Sequence, residues 1–271
     1  MAENVIQNYL DTSFDHGGYA VQVAMTPEEH QALFARIQAQ WTGYGESEPF
    51  ASVLSSTDFL KDNIQASMPL LEASGQEVVR RLQVLAARNA VTLTRGTCLE
   101  LGCGVGRITR PLSQLFDRVV AADISPGNLA VCQRYVADAG AHNVQTLLLQ
   151  TPDQIASVSG LDAFVSVIVL QHNPPPVQYF LLDNILGQIN PGGIAFFQAA
   201  TFNPAYGYQI GQHLAMDTET FEGWSLHCLP MQHILRLLRQ HGIELLEVVE
   251  DGQTGGLQNR FHSHTFFARK V

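Results

Sequence analysis

A glycine-rich segment, residues 98–106 with the sequence CLELGCGVG, constrains the fold of this chain most strongly. Its apolar first half is typical of a buried strand, and the three alternate glycines that follow let the backbone approach a ligand where a Cβ atom would clash. A loop of this kind between a strand and a helix places a ligand crevice at the carboxyl end of a parallel sheet. Because glycine repeats also recur by chance, the segment predicts a site only if its surroundings alternate between strands and helices.

The residues after position 95 show that alternation. We predict strands at 97–101, 118–123, 144–150, 162–170, 193–200, 243–250 and 262–270, and helices at 107–116, 126–139, 177–189 and 231–241. The last two strands are joined by a short Gly-rich turn, residues 252–256, so they should pair antiparallel. The predicted fold class is α/β, a three-layer sandwich around a seven-stranded, mostly parallel sheet whose last strand is antiparallel.

Residues 1–94 have a helical pattern instead, and we predict that they form an N-terminal helical extension or lid. Residues 95–271 would be the second domain, with an insertion at about 202–229. In the extension we expect a helix at 27–41 followed by a loop at 42–49, and a later helix that Pro69 breaks or kinks. Ser74 and Glu77 have the spacing of a capping box, which predicts that a further helix begins there.

Composition limits the possible partners. The chain has 271 residues, of which 46% are hydrophobic, so it can bury a full core. A net charge of -10 without a Lys/Arg block would repel a phosphate backbone, so no nucleic acid is expected as a partner. The apolar runs are far shorter than the roughly 20 residues that span a bilayer, and the N-terminus has no signal core. We therefore expect no membrane association, a cytoplasmic location and four free cysteines.

Asp123 ends the second predicted strand, where a carboxylate can accept hydrogen bonds from both hydroxyls of a ribose. The alternative interpretation of the glycine loop is a nicotinamide dehydrogenase, whose GxGxxG fingerprint requires a third glycine where this chain has Arg107. The antiparallel pair at the end of the chain is a second feature that the alternative lacks.

Four segments in order, ELGCGVG, VVAADIS, LLLQTPD and LDAFVSVIVLQH, resemble the motif series of class I (Rossmann-like) S-adenosylmethionine-dependent methyltransferases. The resemblance covers about residues 95–271. It implies S-adenosyl-L-methionine as the cofactor and S-adenosyl-L-homocysteine as the product.

The resemblance also implies contacts to that cofactor. The loop residues that would line it are Glu100, Gly102, Cys103 and Gly104. Asp123 would hold the ribose, Ile124 would pack on the adenine, and the backbone near Leu170 would meet the methionine amino group. The family often has an acidic residue near the adenine amine after the third strand, and here the nearest positions are Thr151, Pro152 and Asp153.

His172 follows the fourth predicted strand and is the candidate catalytic base, because an imidazole can take the proton of a hydroxyl acceptor. The alternative is that it caps the next helix or packs beneath the cofactor. We expect no metal: His262 and His264 share one strand face, but no Cys/His/carboxylate cluster has ligand spacing.

The candidate acceptor residues are aromatic or basic and lie outside the motifs: Trp41, Tyr44, Tyr206, Tyr208 and His213. The last three belong to the long segment 202–229, and long ordered loops are commonly binding loops or lids, although these side chains can also simply pack. Residues 41–54 are similar to a segment that precedes the catalytic domain in bacterial methyltransferases that modify saccharides.

The function expected from these features is methyl transfer to a small polar molecule, as O-methylation of a saccharide or secondary metabolite. The alternatives are N-methylation of a small molecule and a catalytically silent scaffold that keeps the cofactor pocket. The sequence is compatible with a homodimer and does not determine the oligomeric state.

Overall fold

A single seven-stranded sheet organises the part of the chain that the computed structural model describes, residues 21–54, 56–216, 225–254 and 261–271. Its strands are β1 Thr97–Leu101, β2 Arg118–Asp123, β3 Val144–Leu148, β4 Leu161–Ser166, β5 Ile189–Phe202, β6 Ile243–Glu250 and β7 His262–Lys270. Their order is β3-β2-β1-β4-β5-β7-β6. Neighbours from β3 to β5 pair parallel, and β7 pairs antiparallel with both β5 and β6. The predicted fold class and the antiparallel final pair are confirmed.

Helices cover both faces of this sheet. Those described are α1 Pro27–Ser47, α2 Ala51–Leu54, α3 Ile64–Arg88, α4 Thr109–Leu115, α5 Pro126–Asp138, α6 Pro175–Gly187, α7 Ile210–Ala215 and α8 Met231–Gln240. Short 3-10 helices lie at Thr57–Phe59, Pro152–Ser157 and Leu170–His172. Ser125 caps α5, since its side chain accepts a hydrogen bond from the Asn128 amide, and Pro126 is the first helical residue.

The core lies on both faces of the central strands. In β1, Leu99 belongs to one apolar cluster and Cys98 to another on the opposite face, and neither side chain is accessible to solvent. Burial on both faces explains why the strand has an uninterrupted apolar sequence. The strand order reverses between β1 and β4, so the crevice for a ligand opens beyond the carboxyl ends of these strands.

Two predictions for the N-terminal extension are wrong, namely the loop at 42–49 and the helix that begins at Ser74, and Pro69 does not break its helix. Helix α1 continues to Ser47 through the predicted loop at 42–49. Helix α3 runs through Pro69, and Ser74 lies inside it with its hydroxyl donating to the Leu71 carbonyl, so no helix begins there. In α3, the buried residues on both sides of the proline pack on the domain, and this packing outweighs the one hydrogen bond that proline removes.

Smaller differences lie near the site. Strand β4 ends at Ser166, four residues before its predicted end, and β5 begins at Ile189, four residues before its predicted start. The segment after β5 contacts the N-terminal extension: Val21 forms a bridge with Tyr208, and the Gln22 amide donates to the Tyr208 carbonyl at 2.9 Å. Within the described ranges no helix combines the length and apolar character needed to cross a membrane.

Candidate functional site: a cleft at the carboxyl ends of the strands

The glycine loop after β1 lies at the bottom of a deep cleft. Gly102 and Gly104 have φ angles of +71° and +54°, in the left-handed region that favours glycine. A Cβ atom on Gly102 would lie 2.3 Å from the Val169 side chain, and one on Gly104 would lie 2.6 Å from Val53. The loop is therefore in close contact with the end of β4 on one side and with the N-terminal extension on the other.

Asp123 connects this loop to the end of β2. Its side chain is only 8% exposed, and its two carboxylate oxygens accept the amide hydrogens of Gly104 and Ser125, each at 2.8 Å. Burial raises the pKa of Asp123, and these amide donors oppose that effect. A carboxylate has about four lone-pair sites, so oxygen lone pairs remain for ligand hydroxyls.

Glu100 and Arg107 place a buried carboxyl group and a buried guanidinium group on the same cleft. Glu100 is 1% exposed and accepts a hydrogen bond from the Thr109 hydroxyl at 2.6 Å, and burial raises its pKa to about 8. Arg107 is 4% exposed, and its Nε has no hydrogen-bond partner among the described residues. Burial lowers the pKa of Arg107, and Glu100 raises it. Sequence reasoning used Arg107 only as a replacement for a glycine and missed it as a site residue.

The end of β4 forms a second wall. Val167, Ile168 and Val169 line the cleft, whereas the Leu170 side chain is fully buried in the core. Ile168 has a φ of +62°, which is rare for a β-branched residue, and its amide donates to the Gln198 side chain at 3.0 Å. Strained backbone of this kind persists only where the surroundings fix it, and it concentrates at functional sites.

Beyond the end of β2 the cleft is lined by Ile124, and beyond the end of β3 it is lined by Leu149 and Pro152. Of the residues predicted near the adenine, Thr151 and Asp153 are exposed and do not line the cleft. This end of the cleft is therefore apolar on the side of the sheet.

The N-terminal extension closes the cleft from above, which the sequence did not predict in detail. The lining residues that it contributes are His30, Phe34, Ile37 and Trp41 from α1 and Ser52 and Val53 from α2. Helix α1 crosses α5 at backbone contact: a Cβ atom on Gly45 would lie 2.0 Å from Ser125 Oγ, and one on Gly127 would lie 2.6 Å from the Gly45 carbonyl oxygen. The two glycines thus allow the helix to lie directly on the site.

His172 lies on the cleft, and its ring packs edge-on against Trp41 with the ring centroids 5.4 Å apart. Its Nδ1 is 3.1 Å from the Ser225 carbonyl oxygen. A carbonyl only accepts hydrogen bonds, so Nδ1 carries the proton and Nε2 is the acceptor of the neutral ring. Burial lowers the pKa of His172 to about 4, which keeps the ring neutral at pH 7.

A second cavity adjoins the cleft. Ile37 lines both, and the other lining residues are Arg36, Ala39, Gln40, Tyr44, Pro174, His213, Ser225 and His227. Of the predicted acceptor residues, Tyr44 and His213 are thus on this cavity and Trp41 is on the cleft.

Tyr206 and Tyr208 lie behind that cavity and line neither space. The Tyr206 hydroxyl is 2.8 Å from His227 Nδ1, and the Tyr208 ring packs on His213 and His227 with centroid distances of 5.3 and 5.6 Å. Both tyrosines therefore position the two histidines. The rest of the insertion, residues 217–224 with Asp217 and Trp224, lies outside the described residues.

The histidines on β7 have other partners. His262 Nδ1 lies 2.9 Å from a Glu250 carboxylate oxygen, and His264 Nδ1 lies 2.8 Å from the Thr201 hydroxyl. No group of three or more His, Cys, Asp or Glu side chains with the geometry of a metal site occurs in the described parts of the chain.

Comparison with known proteins identifies the domain. Residues 98–193, which run from β1 to the beginning of β5, match a family described as "Methyltransferase domain". Residues 98–193 thus carry the sequence of a class I S-adenosylmethionine-dependent methyltransferase domain. Its fold agrees: the magnesium protoporphyrin IX methyltransferase of Synechocystis PCC 6803 with bound S-adenosylhomocysteine aligns with a TM-score of 0.55 and 17% identity, over 87% of this chain and 100% of that one.

Two curated relatives share part of this methyltransferase sequence. A ubiquinone biosynthesis O-methyltransferase of Ruegeria pomeroyi is 28% identical over 54% of this chain and 59% of the relative. A carboxy-S-adenosyl-L-methionine synthase of Trichlorobacter lovleyi is 27% identical over 60% of this chain and 67% of the relative. The chain thus spans little more than half the length of the first relative.

The cleft of the methyltransferase domain fits S-adenosylmethionine, whose methionine part carries an ammonium and a carboxylate and whose ribose carries two hydroxyls. A buried carboxyl, Glu100, and a buried guanidinium with an unpartnered Nε, Arg107, would be the counterparts of the two charges. Asp123 would offer lone pairs to the ribose hydroxyls, and the apolar end of the cleft would take a flat base.

Proposed function

We propose that the protein transfers a methyl group from S-adenosylmethionine to a hydroxyl of a small polar molecule. The observation that carries the proposal is the set of three buried ionisable side chains, Glu100, Arg107 and Asp123, on one cleft. Burying ionisable groups is costly, and groups whose pKa burial perturbs concentrate at functional sites. The cofactor supplies, when bound, a methyl group on a positively charged sulfur that is a good leaving group.

The second cavity is the proposed acceptor site. It is next to the cleft, and it presents polar groups from Arg36, Gln40, Tyr44 and the two histidines His213 and His227. Burial lowers the pKa of these histidines to about 4 and about 3, so both rings are neutral at pH 7 and can exchange hydrogen bonds with hydroxyl groups. A saccharide or an oxygenated secondary metabolite has the hydroxyls that such a lining would hold.

His172 is the proposed base because it lies between the two spaces. It lines the cleft, and its Nδ1 is bonded to Ser225, which lines the second cavity. The Ser225 carbonyl fixes the tautomer in which Nε2 would take the proton that a hydroxyl loses on methylation. The rest of the acceleration would come from holding the acceptor in line with the methyl group, which requires rigid walls rather than further charged groups.

Calorimetric titration with S-adenosylhomocysteine tests the cofactor site. The unaltered protein should bind, and Asp123→Ala should weaken binding at least about tenfold, because charge-assisted hydrogen bonds contribute roughly 1.5 to 3 kcal/mol each. Asp138→Ala, on the exposed end of α5, is the matched control and should bind normally. Equal affinity of Asp123→Ala and the control would refute the assigned site.

Transfer of labelled methyl groups from S-adenosylmethionine tests the reaction. A panel of small molecules with hydroxyls and a matched panel with amines should give label on oxygen in the first panel only. Label only on nitrogen would overturn the proposed acceptor atom. Normal cofactor binding without any labelled product from either panel or from a metabolite extract would instead indicate a silent scaffold.

A further inference from the structure

His30 is a buried polar side chain that the proposed reaction leaves unused. It lies on α1, it lines the cofactor cleft, and only 8% of it is exposed. Its Nε2 has no hydrogen-bond partner among the described residues. Because a buried nitrogen without a partner is costly, its presence on a ligand cleft points to a partner that the ligand supplies.

The surroundings of His30 place it at one end of the cleft. Its ring packs edge-on against Phe180 of α6, with the centroids 4.2 Å apart. Asp153 is near enough to raise its pKa, against the larger lowering by burial. Helix α1, which carries His30, contacts the 3-10 helix Pro152–Ser157 that follows β3, and Pro152 lines the cleft, so His30 lies at the β3 end.

The strand order then shows which part of a ligand His30 faces. The buried ionisable pair Glu100 and Arg107 belongs to the end of β1 and the loop after it, and Asp123 ends β2. Strand β3 lies on the far side of β2 from β1. A ligand with its charged amino-acid end at β1 and its ribose at β2 therefore carries its base toward β3, next to Ile124 and Pro152.

We propose that His30 recognises the adenine base of the cofactor through Nε2, so that the N-terminal helix forms part of the nucleoside site. A neutral imidazole can donate or accept one hydrogen bond at Nε2, and adenine offers ring nitrogens that accept and an amino group that donates. The inference rests on the proposed function, since it requires S-adenosylmethionine in this cleft. It adds a recognition residue from outside residues 98–193.

His30→Phe tests the inference because it retains an aromatic ring against Phe180 and removes both ring nitrogens. We would measure Kd by calorimetry for S-adenosylhomocysteine and for 5′-methylthioadenosine, which keeps the adenine and ribose but lacks the amino-acid end. His30→Phe should weaken both ligands by the same factor, about 3- to 10-fold. His30→Gln, which restores a polar group, should recover part of the loss. His142→Phe replaces an exposed histidine and should change neither Kd.

Each result is decisive. Absence of S-adenosylhomocysteine binding by the unaltered protein would overturn the proposed function together with this inference. Normal binding that His30→Phe leaves unchanged would overturn the inference alone. A loss for S-adenosylhomocysteine without a loss for 5′-methylthioadenosine would place His30 at the amino-acid end and also overturn it. If thermal unfolding shows that His30→Phe does not fold, His30→Leu, which also lacks a polar group, provides the same comparison with His30→Gln.

Discussion

Binding of the cofactor should release a proton from Glu100. Burial raises the pKa of this carboxyl from 4.5 to about 8 in the ligand-free protein, so it is about nine-tenths protonated at pH 7. An ammonium group beside it would favour the carboxylate and lower that pKa again. A ligand that requires the carboxylate therefore binds more tightly as the pH rises toward 8, and binding at pH 7 should release about 0.9 proton.

The size of the effect follows from the same pKa. The fraction of ligand-free protein with ionised Glu100 rises about ninefold between pH 6 and pH 7. If Glu100 in the complex stays ionised down to pH 6, Kd should fall by the same factor over this range. The stability of the ligand-free protein changes in the opposite direction. A carboxyl whose pKa is raised on folding binds more protons in the native state, so this contribution to stability falls as the pH rises from about 4.5 through 8.

Calorimetry with S-adenosylhomocysteine in buffers of different ionisation enthalpy counts the released protons directly. Glu100→Gln should abolish the release and make Kd independent of pH between 6 and 7, whereas Glu244→Gln, on the exposed β6 edge, should retain both effects. Release of no proton by the unaltered protein would refute the reasoning. Retention of the release by Glu100→Gln would assign it to another group, such as Asp123.

Three further predictions concern the crossing of α1 and α5, the proposed base and the contact to the cofactor carboxylate. Gly45→Ala should lower Tm, because its Cβ would lie 2.0 Å from Ser125 Oγ. Gly43→Ala in the same helix has open space around its Cβ and should stabilise the protein by about 0.5 to 1 kcal/mol. Equal Tm values for the two variants would contradict the close crossing of α1 and α5. His172→Gln should lower kcat at least about 100-fold and leave the Kd of S-adenosylhomocysteine unchanged, and unaltered turnover would remove His172 as the base. Arg107→Met should weaken S-adenosylhomocysteine but not 5′-methylthioadenosine, and a parallel loss for both would contradict a contact to the carboxylate.

The sheet could be predicted from sequence because its signals are local. The apolar runs of β1 and β2, the glycines between β1 and α4, and Asp123 at the end of β2 each depend on a few neighbouring residues. The antiparallel end of the sheet followed from a short turn that cannot contain a crossover helix. These features also identify the cofactor that the family uses.

The roof of the cleft could not be predicted, since it depends on contacts between distant segments. Gly43 and Gly45 favour a loop by intrinsic propensity, and the packing of α1 on α5 outweighs that preference. His30 fits the apolar stripe of an ordinary helix, so nothing in its spacing indicates that it lines a ligand cleft, whereas Trp41 was a candidate acceptor residue and lines the cleft. Arg107 was visible next to the glycine loop, but only burial and its unpartnered Nε show its significance.

The position of α1 also determines when the site can form during synthesis. Leu33 and Ile37 of this helix are buried in a cluster that includes Leu99, Leu182 and Phe266, residues that leave the ribosome much later. Helix α1 therefore has no apolar surface to cover until the sheet exists, and contacts so distant in sequence form slowly. A cofactor that binds between helix and sheet stabilises only the finished arrangement, by about 2.7 kcal/mol at a concentration of 100 Kd. If the cofactor binds there as proposed, its concentration would help to determine how much of the newly made chain reaches the folded state with α1 packed on the sheet.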